Sequence, residues 1–330
     1  MERERSLRVS WVDTTKGFAI FLVVLGHVWR GLNSAGMLDG DMFRALDSRI
    51  YAFHMPLFFL LGGLFFPKTL ARLDLFAFLA SRVRRLIYPL LLWTYVFIVF
   101  KLLAGSMANT PIGAGELLVP PIPGRWHFWF LWALFLVHLA LFPARPLVTE
   151  PAWTGRGFLA LLVLSLGLYA IKLPPLADYW IGPAIHHLPY FVIGLILGRM
   201  QLETRVRGWG MVAALAVFAV TVALFPQLYA AGVPFLATAT VLSLAATVFF
   251  AGLGEGGGLL RRALTYAGER SMAIFLSHVI FQAALRAVLL KIGVTSVPLH
   301  LILGTMAGLI LPIVLNDVAI RLKIVRFLGF

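Results

Sequence analysis

The chain has 330 residues, 61% of them hydrophobic and 13% charged, with a mean hydropathy of +0.92. A soluble domain carries about 25% charged residues, so these totals exclude a soluble enzyme and indicate an integral membrane protein with many spans. The net charge is +14 and cysteine is absent. No basic stretch with interleaved aromatics resembles a nucleic-acid surface. The missing thiols exclude disulfides, thiolate nucleophiles and zinc–thiolate sites.

Ten apolar segments follow one another: Val12–Trp29, Ile50–Phe66, Leu86–Leu103, Phe128–Phe142, Phe158–Ile171, Ile185–Gly198, Val212–Phe225, Phe235–Leu253, Met272–Leu290 and Leu299–Ala319. Pro143, Pro151, Pro174, Pro175 and Pro183 mark boundaries in the middle of the chain. The reading is an all-α polytopic fold of about ten transmembrane helices. Residues 1–330 form a single membrane domain with no separate soluble domain. With both termini cytoplasmic, nineteen Lys and Arg fall on the inner side and seven on the outer, and every inner loop is basic. That asymmetry is the signature of a bacterial-type inner, or plasma, membrane orientation. The N-terminal run has a signal-peptide outline, but Asp13 and Lys16 border it and no clear cleavage signature follows.

The first segment carries the most informative polar groups. Lys16 and His27 are eleven residues apart, so on a helix they share one face, about 16 Å apart along the axis. Asp13 lies near the same stripe and is placed to pair with Lys16 or orient it. A cation and an imidazole inside an apolar span are costly, so a functional role is the default reading. His54 sits near the outer end of the second segment and is set to face His27 across a short connection; a packing role stays open for it. The third segment opens on Arg82 and Arg85, an i, i+3 pair suited to phosphate through bidentate hydrogen bonds, or to plain membrane-surface anchoring.

Further along, His127 begins the fourth segment, His186 and His187 the sixth and His300 the tenth, so six of the eight histidines fall in the outer half. An imidazole cluster there would supply a general base for an alcohol. His186, His187 and His300 also suit headgroup-level anchoring, and His138 reads as a packed histidine. The glycine-rich run 252–258 lacks the strand and the Lys-Ser/Thr of a phosphate-binding loop and reads as a connection. Ser271 and His278 share a face in the ninth segment, but about 10 Å of axial separation is too long for a nucleophile–base pair. Arg286, in the outer half of the same segment, requires an anionic or carbonyl partner.

At these residues the chain resembles the integral-membrane acyltransferase-3 family, particularly its fucose 4-O-acetylase-like branch. The resemblance runs from Trp11 and Asp13 through Lys16 and Gly17 to Gly26 and His27, a basic residue, ten-residue gap and histidine, with Lys in place of Arg. It continues through Phe53-His54-Met55-Pro56 and the Arg82/Arg85 pair. His127-Phe128-Trp129 and the stretch from Ser271 to His278 complete it. The resemblance implies a ten-helix domain moving an acyl group, usually acetyl from acetyl-CoA as co-substrate, onto a carbohydrate hydroxyl. His27 becomes the proposed catalytic histidine and His54 a second candidate. Lys16, Arg82 and Arg85 become donor-binding candidates, with Asp13 and His278 supporting. No metal and no bound cofactor are expected. The expected partners are an acyl-CoA, a carbohydrate or glycolipid acceptor and the bilayer. The competing reading is a non-enzymatic transporter or flippase of a glycolipid or polysaccharide, since intramembrane charge also marks substrate paths.

Overall fold

The computed structural model describes residues 2–149, 154–200, 202–206, 208–253 and 258–330. Their elements are α1 (Glu2–Ser34), α2 (Gly40–Tyr51), α3 (His54–Leu64), α4 (Phe66–Arg72), α5 (Leu75–Arg82), α6 (Tyr88–Ala104), α7 (Trp129–Leu141), α8 (Arg145–Thr149) and α9 (Thr154–Ala170). They continue with α10 (Pro175–Leu197), α11 (Leu202–Arg205), α12 (Trp209–Ala223), α13 (Phe225–Ala230), α14 (Phe235–Gly252), α15 (Gly258–Glu269), α16 (Ser271–Lys291), α17 (Val297–Arg321) and α18 (Val325–Leu328). Among the described residues there is no strand, and the protein is an all-α polytopic membrane protein. Seven helical stretches are long and apolar enough to cross a bilayer, and three shorter ones, Trp126–Leu141, Gly155–Ala170 and Trp209–Ala223, are equally apolar. Together they coincide with the ten segments read from hydropathy. Pro151 and the centre of the glycine-rich run, residues 254–257, lie outside the described residues.

Three segments differ in form from the sequence expectation. The sixth begins at Pro175 rather than Ile185, so Pro183, read as a boundary, lies inside α10, as a bundle that re-satisfies the freed carbonyl allows. The second begins earlier, as α2, and breaks at Ala52–Phe53 before α3. Pro56 supplies the reason: it has no N–H to give the carbonyl four residues back, and its ring crowds that turn. The third also begins earlier, because Arg82, Arg84 and Arg85 lower the hydropathy of a stretch that is nonetheless helical. There α5 passes into α6 through a π-turn at Val83–Ile87. Pro89 cannot donate to the Arg85 carbonyl, and the ladder widens around it.

α1 is the hub, packed against α2, α3, α14, α15, α16 and α17. Its first half meets the amphipathic α15 at backbone contact. A Cβ on Gly17 would lie 1.8 Å from the Leu264 carbonyl oxygen, and one on Gly268 would lie 1.7 Å from that of Asp13. Thr14 and Thr265 hydroxyls bond across this seam at 2.8 Å, and Arg261 donates to Ser10 Oγ at 2.8 Å. A second close seam joins α3 to α10, where Gly63, Gly194 and Gly198 face carbonyls of the opposing helix. Lipid offers helices no hydrophobic drive to associate, so such small-residue contacts, through dispersion, hold the bundle together. At the α6 end, Trp93 Nε1 donates to the Leu328 carbonyl at 2.7 Å and Phe330 stacks on the Trp93 ring.

The seam predicts a contrast between two glycines. Gly268→Ala forces α1 and α15 apart, at the cost of about 1–3 kcal/mol typical of overpacking, and should lower the detergent-solubilised melting temperature. Gly167→Ala, on α9 with nothing within 4 Å of the new Cβ, should leave it unchanged or raise it slightly.

Candidate active site

The Ala52–Phe53 break turns His54 inward at the start of α3. Its ring Nδ1 donates to the Ile50 carbonyl at 2.7 Å, the acceptor that an unbroken helix would have given to the His54 backbone. Nε2 is thereby left as the unprotonated ring nitrogen. One turn earlier, the Tyr51 ring stands edge-on to His54 with centroids 4.5 Å apart, and the Arg30 guanidinium covers its face at 3.2 Å. Arg30 is itself held by two hydrogen bonds to Asp47, of 2.7 and 3.0 Å.

His127 comes from a different device. Trp126 has φ +49°, a backbone region that bulky residues rarely enter, and His127 follows it in a short 3₁₀ turn that leads into α7. Strain of this kind, worth on the order of 1–3 kcal/mol, persists where the surroundings over-determine it. Here the Trp126 ring is wedged edge-on against Phe97 at 4.9 Å, with the Lys101 ammonium 5.3 Å from its centre. The result is an imidazole pointing into the bundle, 94% buried.

α16 supplies the third histidine. His278 Nδ1 donates to the Ile274 and Phe275 carbonyls at 2.8 and 2.9 Å, so its Nε2 is a buried acceptor. The rings of His27, His127 and His278 form a triangle with centroid separations of 5.6, 5.2 and 5.0 Å. Tyr51 closes on the other side of His27 at 6.4 Å. Among the described residues, no group accepts from or donates to the His27 ring. Three neighbouring buried polar atoms, Tyr51 Oη, His127 Nε2 and His278 Nε2, also have no protein partner. Leaving such an atom unpaired costs about 1–3 kcal/mol, and native folds keep such atoms where something else must bond to them.

His27, His54, His127 and Tyr51 open onto a cavity of about 750 Å³. Much of its remaining wall comes from the C-terminal ends of α6 and α16 and from residues 107–110, which follow α6. Asn109 ties that stretch to α1 by donating to the Gly31 carbonyl at 2.9 Å. The cavity does not extend to Lys16. Lys16 lies at the other half of α1, where it pairs with Asp13 at 3.0 Å as the sequence spacing suggests. Arg82 is half-buried, bonded to Ser81 Oγ at 3.0 Å and placed over the Phe78 ring, whereas Arg85 is exposed within the π-turn. Apolar side chains of α1, the π-turn, α6 and α16 (Ile20, Leu86, Leu90 and Ile274) pack together on the histidine side of these cations. The structure therefore brings together His27, His54 and His278, and leaves Lys16, Arg82 and Arg85 at the opposite end of the bundle. Among the described residues, no cluster of His, Asp and Glu has the geometry of a metal site.

His127 is the member that spacing alone does not select. Read as the first residue of a span it looks interfacial, and only the backbone reversal at Trp126 turns it inward. Arg286 is likewise legible as a costly intramembrane cation but not as a neighbour of His27, while Lys101, counted from the sequence among the outer-side charges, is drawn into the protein. His138 is packed, stacked on Phe66 at 4.7 Å with the rings nearly parallel, but the hydrogen bond to a neighbouring helix expected of it is not made: its Nδ1 has no partner among the described residues. The Ser277 hydroxyl returns to the Ala273 carbonyl of its own helix at 2.8 Å rather than bridging to another.

Similarity to known proteins agrees with this architecture. The chain is similar to "Nodulation protein NolL" of Sinorhizobium fredii (strain NBRC 101917 / NGR234), 28% identical over 193 residues that cover 57% of this chain and 48% of that protein. It is also similar to the protein of the same name from Mesorhizobium japonicum, 23% identical over 194 residues, 57% of this chain and 47% of that one. The chain thus spans about half the length of these relatives. No solved structure matches it significantly. The family model described as "Acyltransferase domain" matches residues 9–317, nearly the whole chain including every helix that builds the cavity, and the protein belongs to the membrane-bound acyltransferase-3 family.

Proposed function

We propose that this protein is an O-acyltransferase of the plasma membrane that moves an acetyl group from cytosolic acetyl-CoA to a hydroxyl of a carbohydrate. The acceptor is a surface or exported glycan or a glycolipid. The observation that carries this reading is His27, an unbonded imidazole at the floor of a cavity large enough for a sugar, ringed by three buried polar atoms that lack partners. A hydroxyl-rich ligand would satisfy those atoms. The match of an acyltransferase family model to residues 9–317 favours this reading over a transporter, in which clustered intramembrane histidines also occur.

In the proposed step the acceptor hydroxyl gives its proton to a His27 ring nitrogen as its oxygen attacks the thioester carbonyl carbon. The other ring nitrogen then carries a proton, for which the unprotonated Nε2 of His278 is the proposed acceptor; the 5.0 Å separation of the two ring centres supports this pairing. His278 is in this sense a positioning residue. Collapse of the tetrahedral intermediate breaks the carbon–sulfur bond, and the proton held on His27 passes to the departing thiolate, so the imidazole is regenerated. The alternative course, transfer of the acetyl group first to His27 and then to the hydroxyl, uses the same atoms. His54, across Tyr51, is assigned to the acceptor side of the cavity.

The donor is assigned to the opposite end. Lys16 with Asp13, and Arg82 with Arg85, provide cations for the CoA phosphates there, and the thiol arm would thread between α1, α6 and α16 toward His27. The eleven-residue spacing sets that path at about 16 Å. Arg82 Nε has no hydrogen-bond partner among the described residues, which suits a guanidinium held for an anion.

Three measurements test this reading. In membranes supplied with labelled acetyl-CoA, His27→Ala should lose about 10²–10⁴-fold in transfer to glycan or lipid at equal protein level, the range for removing a general base; full activity would end the assignment. His278→Ala should lower kcat with little change in KM for acetyl-CoA, whereas a larger effect on KM would remove it from the reacting end. Arg82→Ala with Arg85→Ala should raise KM for acetyl-CoA about tenfold or more, as expected from losing charge-assisted bonds to phosphate.

A further inference from the structure

The cavity has a second character that general base chemistry does not use. Lys101, Arg286 and Lys291 line it, together with Arg30, and among the described residues no Asp or Glu does. Arg30 is neutralised by Asp47, and the nearby Glu116 is engaged by Arg125. Lys101, 93% buried, has as its hydrogen-bond partner among the described residues only the neutral Thr110 Oγ1, at 2.8 Å, besides the faces of Phe97 and Trp126. Arg286 has no hydrogen-bond or ionic partner among the described residues. Its guanidinium lies against the α1 backbone at Gly31, where a Cβ would meet Nη1 at 2.2 Å. A side chain at that position would push the guanidinium away, so the glycine keeps it beside α1, at the level of the cavity. Lys291 closes the far end of α16. Three positive charges thus face one space with no negative charge to balance them, an arrangement that is costly in an apolar protein unless an anion completes it.

The cavity also has a direction. Leu103 and Met107 on one side and Ala284 and Val288 on the other line it and are exposed on the outside of the bundle; Leu103 is 81% exposed. The opening therefore faces sideways between the outer ends of α6 and α16, through an apolar lip, rather than only into water. An apolar lip beneath a cluster of cations fits a ligand with an apolar tail in the bilayer and an anionic group at its head.

We infer that this cavity binds a lipid-linked phosphate, with the phosphoryl group on Arg286, Lys101 and Lys291, the tail leaving between α6 and α16, and the attached saccharide reaching toward His27. A phosphoryl group carries one or more charges on several oxygens, and so meets three cations better than a single carboxylate would. The inference deepens the proposed function by naming its acceptor class and rests on that reading for the fate of the sugar. The binding claim itself does not.

The full chain in nanodiscs provides the test, with hexadecyl phosphate, hexadecanol and glucose 1-phosphate as probes. Trp126 in the cavity wall supplies a fluorescence signal, and acetyl-CoA binding is measured in parallel by calorimetry. Hexadecyl phosphate should bind at least about tenfold more tightly than either hexadecanol or glucose 1-phosphate. Arg286→Gln should reduce that affinity about tenfold or more, consistent with one charge-assisted contact, with Arg286→Lys intermediate. Lys291→Gln, at an exposed position where misfolding is not at issue, should reduce it as well. Equal binding of hexadecyl phosphate and hexadecanol would overturn the anion site. Equal binding of glucose 1-phosphate would overturn the lipid assignment in favour of a free sugar phosphate. Displacement of hexadecyl phosphate by acetyl-CoA would overturn it in favour of the donor's phosphates. If hexadecyl phosphate binds as expected while acetyl-CoA neither binds nor is consumed, the inference stands and the acyl-transfer reading fails.

Discussion

A backbone in hydrocarbon must satisfy its own hydrogen bonds, and that constraint decides where this protein is able to place chemistry. Regular helices bury every N–H and C=O but carry their side chains on fixed rows. Each departure from regularity frees a carbonyl or re-aims a side chain, and each is tolerated only where protein surrounds it. The break before His54, the reversal at Trp126 and the π-turn after Arg82 are such departures. Two of the three deliver imidazoles to the cavity, and the third holds the arginine pair. At the break before His54 the freed group is put to use, since the Ile50 carbonyl fixes the His54 tautomer; within α16 the Ile274 and Phe275 carbonyls fix that of His278.

Much of this was legible in the chain because lipid imposes a simple code. Ten runs of apolar residues became ten apolar helices, since few other structures are available to such runs. The Asp13–Lys16 pair and the inward place of His27 followed from helical spacing on one continuous element. What spacing does not convey is the meeting of different helices. His127, His278 and His27 are separated by 100 residues or more along the chain, and their triangle depends on how α1, α16 and the turn before α7 come together. Boundaries failed where charge and structure part company: Arg82, Arg84 and Arg85 depress hydropathy without ending a helix.

The distribution of charge separates the two ends of the bundle by chemistry. At the Lys16 end most cations have local partners or lie at the surface: Lys16 with Asp13, Arg270 with Asp317, Arg261 with Ser10. At the His27 end, Lys101 and Arg286 are drawn into the protein without an acid. The loop-charge rule counts both populations alike, because it weighs position in the chain and not what a side chain faces. Unbalanced cations on the sparsely charged side are not explained by orientation, and a ligand for them is what the proposal above supplies.

The shorter apolar helices have a consequence for the lipid itself. α9, with 17 residues, rises about 26 Å, and α12, with 15, about 23 Å, against a hydrocarbon thickness of about 30 Å. Both present large exposed apolar side chains, such as Leu159 and Val163 on α9 and Val220 on α12. A bilayer that wets these surfaces has to pinch inward beside each of them, whereas α16, with 21 residues, and α17, with 25, match its full depth. The membrane around the protein would therefore vary in thickness, thinner beside α9 and α12 than beside α17. The protein would partition toward thinner bilayers, and its activity would depend on acyl-chain length in reconstituted membranes independently of any chemistry at His27.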